Sequence, residues 1–297
     1  MFTQSASDIL KKIRRIEIRT RNSVSELFSG EYHSRFRGQG LEFAEVREYQ
    51  PGDNHRDIDW NVSARMGQLF IKKFKETREL RVVFLVDISA SQNMGTVSMF
   101  KRERIAEIVA GLSFSAVANH DLVGLILYSD QAEKYIPPRK GRNNALAILR
   151  DILYIQPKSP RTSLAAAFQY TQKMLKKRCI IFIVSDWIDT GFEKHLKILA
   201  QKHDVIALQI LDRSELDLPD AGILRLQDPE TGREALINSS DPKIRKAYKA
   251  SVRKQQLELQ SFFRSCKCDY LLIRTDTSFV QALRKFFVLR QKRRWGK

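Results

Sequence analysis

Hydrophobic residues in this chain fall into two patterns: short unbroken runs, and longer stretches in which they recur every three or four positions. Val82–Val86 is a run of five between Arg81 and Asp87, and similar runs lie within Asp121–Tyr128, Cys179–Asp186, Asp204–Leu211 and Tyr270–Ile273. A run of this length predicts a strand buried on both faces, as in a parallel sheet covered by helices. Between the runs the spacing becomes helical. Lys101–Ala118 carries Ile105, Ile108, Val109 and Leu112 on one face, and further helices are predicted at Asn144–Ile155, Lys194–Gln201, Asp241–Arg264 and Ser278–Leu289. Another starts at Arg161–Leu164, where Thr162 or Ser163 is a natural N-cap, and Pro242 suits the first turn of the helix that Asp241 opens. Strands alternating with helices predict an α/β fold: a doubly wound, mostly parallel, Rossmann-like sheet from about Leu80 to Ile273, with the strand ending in Asp87 at its centre.

The flanks read differently. Residues 7–28 predict an amphipathic helix, with Ile9, Ile13 and Ile16 inside and Lys11, Lys12, Arg14 and Arg15 outside. Leu41–Phe43 begins an extended segment and Gln50–Asp53 is a turn. Charges then interleave from Arg47 to Arg65, with Trp60 among them. This stretch predicts a small β element whose charges pair and whose Trp60 is packed against the main domain. Asp228–Gly232 reads as the turn of a hairpin. The organisation expected is an N-terminal helix over 1–30, a small β element over 31–78, and the α/β domain with its basic C-terminal helices over 79–297.

Composition narrows the function classes. Of 297 residues, 43% are hydrophobic and 29% charged, the balance of a globular chain. No apolar run approaches the ~18 residues a membrane helix needs, and the N-terminus has no secretory core. Three cysteines make neither a disulfide framework nor a zinc site, so a reduced, cytoplasmic protein is expected. The net charge of +18 is concentrated at one end: residues 241–297 hold 16 Lys and Arg against 4 Asp and Glu. Such a field favours an acidic protein, nucleic acid, or peripheral contact with an anionic membrane surface.

Candidate chemistry sits where the runs end. Asp87, Ser89 and Ser91 follow the central strand, Asp186 closes a later one, and Thr162 lies on a third loop. Ligands in open α/β sheets bind at the carboxyl ends of the strands, and hard oxygen donors suit Mg2+ rather than zinc. Two alternatives are weaker. Asp57 and Asp59 near His55 lack a nucleophile and read as structural, while Gly38–Gln39–Gly40 lacks the further glycine and the strand–helix frame of a nucleotide loop.

The order D-x-S-x-S, then threonine, then aspartate resembles the metal-ion-dependent adhesion site of von Willebrand factor A domains. That resemblance makes Ser89, Ser91 and Thr162 hydroxyl ligands of one Mg2+ or Mn2+. Asp87 and Asp186 would act largely through bound water, and a partner's carboxylate would complete the shell. Gly40–Phe43, Arg47–Tyr49, Pro51–Asp53, Ile58–Trp60, Ser63–Arg65, Asp228–Gly232 and Ala282–Phe287 resemble the bacterial domain-of-unknown-function 58 family, over about residues 30 to 290. Methionine often follows the second serine in that family, whereas this chain has Gln92. The resemblance implies a non-enzymatic, cation-dependent adaptor for an acidic protein, namely a MoxR-type AAA+ ATPase or its client. Two other readings compete. A nucleic-acid-binding protein would use the basic C-terminal region with Tyr248, Phe262, Phe263, Phe286, Phe287 and Trp295. A metal-dependent hydrolase would need a general base that no motif supplies.

Overall fold

The computed structural model describes residues 13–18, 20, 41–76, 79–95 and 100–295. Of the helix expected over 7–28, residues 13–18 and 20 are helical and the remainder lies outside the described residues, as does Gly38–Gly40. The chain divides into two compact units: Tyr32–Leu80, and Arg81–Lys297 together with Met1–Glu31.

In the smaller unit, β1 (Leu41–Glu48) pairs antiparallel with β2 (Phe70–Glu76), and the short helix α1 (Trp60–Met66) lies between them in sequence. The local chemistry fits each feature. Asp59 caps α1 by accepting from the amides of Asn61 and Val62 at 3.1 and 3.3 Å. Arg47 and Asp53 form a two-pronged ion pair at 2.8 and 2.7 Å across the Gln50–Asp53 turn. The expected charge pairing is therefore present. Trp60 differs from expectation: it is 66% exposed. It opens α1 directly after the cap, and there the buried positions are Asp59 and Ser63 instead.

The larger unit contains a six-stranded sheet in the order β10-β7-β6-β3-β4-β5. Its strands are β3 (Arg81–Asp87), β4 (Leu122–Tyr128), β5 (Ala132–Arg139), β6 (Ile180–Ser185), β7 (Asp204–Leu211) and β10 (Asp269–Arg274). All neighbours are parallel except β5, which runs antiparallel to β4 along one edge. The central position expected for β3 is observed, and Val82–Val86 is buried throughout. Helices α2 (Lys101–Ala118), α3 (Arg142–Tyr154), α4 (Leu164–Met174) and α5 (Glu193–Lys202) follow the strands, α2 packing on α3 and α4 on α5. Val83 and Leu85 share a core with Leu164, Phe168, Leu196 and Leu199. Phe84 and Val86 therefore point to the opposite face, and the Phe84 ring stacks on Phe182 of β6 at 5.5 Å. Each such side chain fully removed from water contributes about 1.5–3 kcal/mol.

Two features exceeded the hydrophobic pattern. Strand β5 has no apolar run and holds Pro137 and Pro138, which an edge strand tolerates because its outer N–H groups need no partner. It approaches β4 so closely that a Cβ on Gly124 would lie 3.0 Å from the Ile136 carbonyl and the Pro138 ring. Helix α2 is buried on its charged positions as well as its apolar face, since Lys101, Arg102, Arg104 and Glu107 are all enclosed. Arg104 and Glu107 pair at 2.7 Å, and Arg102 Nε donates to the Ile152 carbonyl at 2.6 Å.

Beyond β7 lie a single helical turn, α6 (Arg213–Leu216), and a hairpin of β8 (Ile223–Gln227) with β9 (Glu234–Asn238), its turn at Asp228–Gly232 as expected. Helix α7 (Pro242–Ser265) and helix α8 (Phe279–Trp295) flank β10 in sequence. No helix among the described residues is long and apolar enough to cross a membrane.

Candidate metal centre

The strand order reverses between β3 and β6: from β3 the chain proceeds through β4 to β5 on one side, and through β6, β7 and β10 on the other. Crevices at such switch points, outside the carboxyl ends of the strands, are where open α/β sheets bind ligands. Asp87 is the last residue of β3, and Asp186 directly follows β6. Both are buried, at 0% and 1% exposure.

The sequence around Asp87 turns back on itself at once. Its Oδ1 accepts from the Ser89 amide at 2.9 Å, and the chain then makes a short 3-10 turn, Ala90–Asn93. This brings the hydroxyls of Ser89 and Ser91 to 3.0 Å from each other. Ser185 Oγ, at the end of β6, donates to Asp87 Oδ2 at 3.0 Å. Gln92 ties the two strands together: Nε2 donates to Asp186 Oδ2 at 3.0 Å and Ser91 Oγ at 3.1 Å, with a long contact of 3.5 Å to Asp87 Oδ2. Asp87, Ser89, Ser91 and Asp186 thus gather around one amide.

Thr162 is held at the same edge. Pro160 accepts from the Ala90 amide at 3.0 Å, Ser163 donates to the Ser129 carbonyl at 3.0 Å, and Asp189 accepts from the Leu164 amide at 2.7 Å. These bonds join the loop before α4 to the loops after β3, β4 and β6. The Thr162 side chain does not turn to the serines, however. Its hydroxyl donates to Glu230 Oε1 at 2.7 Å, and its amide donates to Oε2 of the same carboxylate at 3.0 Å.

Electrostatics follow from burial. Desolvation foremost, with the Asp186 charge adding, pushes the Asp87 carboxyl up to about 7. Asp186 is balanced by Lys101, whose Nζ lies 3.0 Å from Oδ2 and 2.8 Å from Glu215 Oε1. Burial lowers the Lys101 ammonium, but the charges of Asp186 and Glu215 outweigh it and the result is upward. Burial likewise raises Glu215, against the pull of Lys101. Lys101 thus stands between two carboxylates, those of Asp186 and Glu215.

The donor set tests whether a cation suits this place. Among the described residues, no group of three or more His, Cys, Asp or Glu side chains is placed to hold a metal, so any ion here rests on two carboxylates with hydroxyls. Oxygen donors of this kind suit Mg2+ or Mn2+. Gln92 is fully buried and its Oε1 finds no hydrogen-bond partner, while its Nε2 points among three oxygens. The two ends of a primary amide have nearly the same shape, so a half-turn would give a cation a carbonyl oxygen. The residues fit.

Gln92, Lys101, Ser185, Glu215 and Glu230 were not named as site residues from sequence. Two of them carried a signal: Gln92 as the departure from the family's methionine, and Glu230 as part of the Asp228–Gly232 turn. The other three belong to an ordinary helix, strand end and helical turn.

Comparison with known proteins places the chain. Uncharacterized protein Rv1480 of Mycobacterium tuberculosis is 29% identical over 286 residues, covering 94% of this chain and 89% of that protein. Uncharacterized protein YeaD of Bacillus subtilis is 28% identical over 109 residues, 37% of this chain and 25% of its own. Among solved structures, conserved hypothetical protein BatB from Bacteroides thetaiotaomicron superposes with a TM-score of 0.46 at 16% identity, over 72% of this chain and 99% of that one. The SpRpn10 VWA domain gives 0.37 at 13%, over 68% and 92%. Residues 45–258, well over half of the chain, match the family described as "Protein of unknown function DUF58", and the chain belongs to that family.

Proposed function

We propose that this protein is a non-enzymatic binding module that presents one Mg2+ or Mn2+ at the β3–β6 switch point and captures an acidic side chain of a protein partner through it. The observation that carries the reading is the convergence of Asp87 and Asp186 on Gln92 Nε2, at 3.5 and 3.0 Å, beside the paired hydroxyls of Ser89 and Ser91. Ser89, Ser91 and Thr162 would be the hydroxyl ligands, with Asp87 and Asp186 holding the ion's water. When bound, the ion supplies an electrophilic position for a carboxylate. The residues themselves do the rest. Lys101 fixes Asp186, and Ser185 and the Ser89 amide fix Asp87. The excess of positive charge elsewhere on the chain draws an acidic partner in.

The partner proposed is a MoxR-type AAA+ ATPase or its client, which rests on the family resemblance. A cytoplasmic location agrees with three free, buried cysteines, Cys179, Cys266 and Cys268. Nucleic-acid binding gains less support: Phe263 is fully buried and the Tyr248 hydroxyl donates to the Glu215 carbonyl, so these aromatics serve the core rather than a stacking surface.

The test is a pull-down of a purified MoxR-type ATPase by wild-type protein and by Asp87→Ala, with Mg2+ and with chelator. Capture should require Mg2+ and be lost in Asp87→Ala while circular dichroism stays unchanged. Capture that ignores both the chelator and the substitution refutes the reading, and metal-dependent phosphodiester turnover lost in Asp186→Ala would replace it with a hydrolase.

A further inference from the structure

The chain that leaves β6 reaches α5 through a short loop, from Trp187 at φ 63° to Gly191 at φ 80°. Across from it, Gln255, Glu258, Leu259 and Phe262 recur at three- and four-residue intervals and so share one face of α7. Between the loop and this face lies a groove of about 440 Å3, within the range of roughly 300–1,000 Å3 usual for ligand sites. Its floor is aromatic and well braced. The Phe192 ring packs edge-on against Trp187 at 5.7 Å and against Phe262 at 5.8 Å, and Trp187 and Phe192 are both buried. Ile188, 63% exposed, carries the apolar surface out to the lip.

The charge at this groove runs against that of the chain. The protein holds 52 Lys and Arg against 34 Asp and Glu, yet among the described residues that line the groove Asp189, Glu193 and Glu258 are acidic and none is Lys or Arg. Asp189 accepts from the Leu164 and Thr190 amides, each at 2.7 Å, which pins the loop without neutralising the carboxylate. Glu193 is exposed at the first position of α5, where the positive end of the helix also favours it. Glu258 has a long contact of 4.0 Å with Lys254, both side chains being largely exposed, and a surface pair of that kind contributes little. An apolar floor with an anionic rim complements an apolar side chain that has cations beside it. Lys and Arg suit such a rim because their aliphatic stems lie along apolar surface while the charged ends stay in water.

We infer that the groove between the Trp187–Gly191 loop and α7 docks a protein segment that presents an aromatic or long aliphatic side chain flanked by Lys or Arg. The apolar side chain seats on Trp187, Phe192 and Phe262, and the flanking cations reach Asp189, Glu193 and Glu258. The contrast between rim and chain gives selectivity. The net positive charge opposes the approach of a basic segment, so a segment that has cations but no apolar anchor gains too little to stay. The groove uses none of the proposed cation's ligands, and the inference stands or falls without that ion.

The experiment titrates the full chain, with chelator present, into a fluorescein-labelled peptide that carries one tryptophan between two arginines on either side, and follows anisotropy. The peptide should bind, and replacing its tryptophan by alanine should weaken binding by about thirtyfold, as for a buried anchor. The double variant Glu193→Gln, Glu258→Gln should weaken it by about tenfold, the sum of two exposed charge pairs, at an unchanged melting temperature. Ile188→Ser should also weaken it, and hydrogen exchange over residues 187–193 should slow when the peptide is added. Asp87→Ala should bind the peptide as wild type does, which keeps this inference separate from the cation reading. The inference is overturned if wild type does not bind the peptide, or if the double glutamine variant binds it equally well. Tighter binding of a peptide with glutamates in place of the arginines would overturn it too, since the net charge of the chain would then decide the partner.

Discussion

Lys101 Nζ lies 3.0 Å from Asp186 Oδ2, and the two side chains are 0% and 2% exposed. Removing one partner of such a pair leaves a buried charge uncompensated, which typically costs about 3–5 kcal/mol. Lys101→Met should therefore lower stability by that order in a urea titration without metal. Asp186 and Glu215 would then confront each other directly, so added Mg2+ should restore part of the loss. A variant as stable as wild type would mean that the pair is incidental.

The same end of the sheet sets a pH dependence through Asp87. Its carboxyl rises from an ordinary 3.8 to about 7 in the folded protein, through burial foremost and then Asp186. The folded state thus holds the proton more tightly than the unfolded chain. Its contribution to stability is complete below about pH 4 and is lost as pH rises through about 7. In metal-free protein, Asp87→Asn should remove this decline, which urea titrations from pH 4 to 8 would reveal. A slope unaltered by the substitution would show that Asp87 is not its source.

His203 works in the opposite sense over an overlapping window. Burial foremost, with Lys202 and Arg178 adding, lowers its pKa from 6.5 to about 4, and its Nδ1 accepts from the Cys179 amide at 3.2 Å. Here the unfolded chain binds more protons. The stability contributed, roughly 3 kcal/mol, is present above about pH 6.5 and is lost as pH falls towards 4. His203→Asn keeps an acceptor for Cys179 and should flatten this acid limb. Comparing the two single variants with the double variant separates the opposing slopes.

Trp187, one residue beyond Asp186, sits at φ 63° with its ring 4.7 Å from Phe263 and its Nε1 donating to the Leu208 carbonyl at 3.3 Å. It is 2% exposed. Trp187→Ala should cost about 3–5 kcal/mol by thermal or chemical denaturation. By contrast, Trp60→Ala, at 66% exposure, should move stability by no more than about 0.5 kcal/mol. If Trp60→Ala abolished capture of the proposed partner at unchanged stability, the smaller unit would also be a binding surface.

The hydrophobic pattern alone determined five of the sheet's six strands. Val82–Val86 and the runs of β4, β6 and β7 are apolar at consecutive positions because helices cover both faces, and that requirement is written residue by residue. The oxygen donors were legible for a related reason: Asp87, Ser89 and Ser91 lie within one turn of chain, and Asp186 ends a run as visible as the first. What tertiary structure decided lies between elements. Strand β5 has no run to read, since an edge strand buries too little to need one. The burial of Lys101 depends on Asp186, 85 positions away, and the attachment of Glu230 to Thr162 spans 68. Whether a Gln, a Lys or a Glu ends in solvent or against a buried carboxylate depends on which strands the chain sets side by side. Local sequence carries the propensity of each strand and helix; the placing of β6 next to β3 turned five ordinary polar residues into the surroundings of a site.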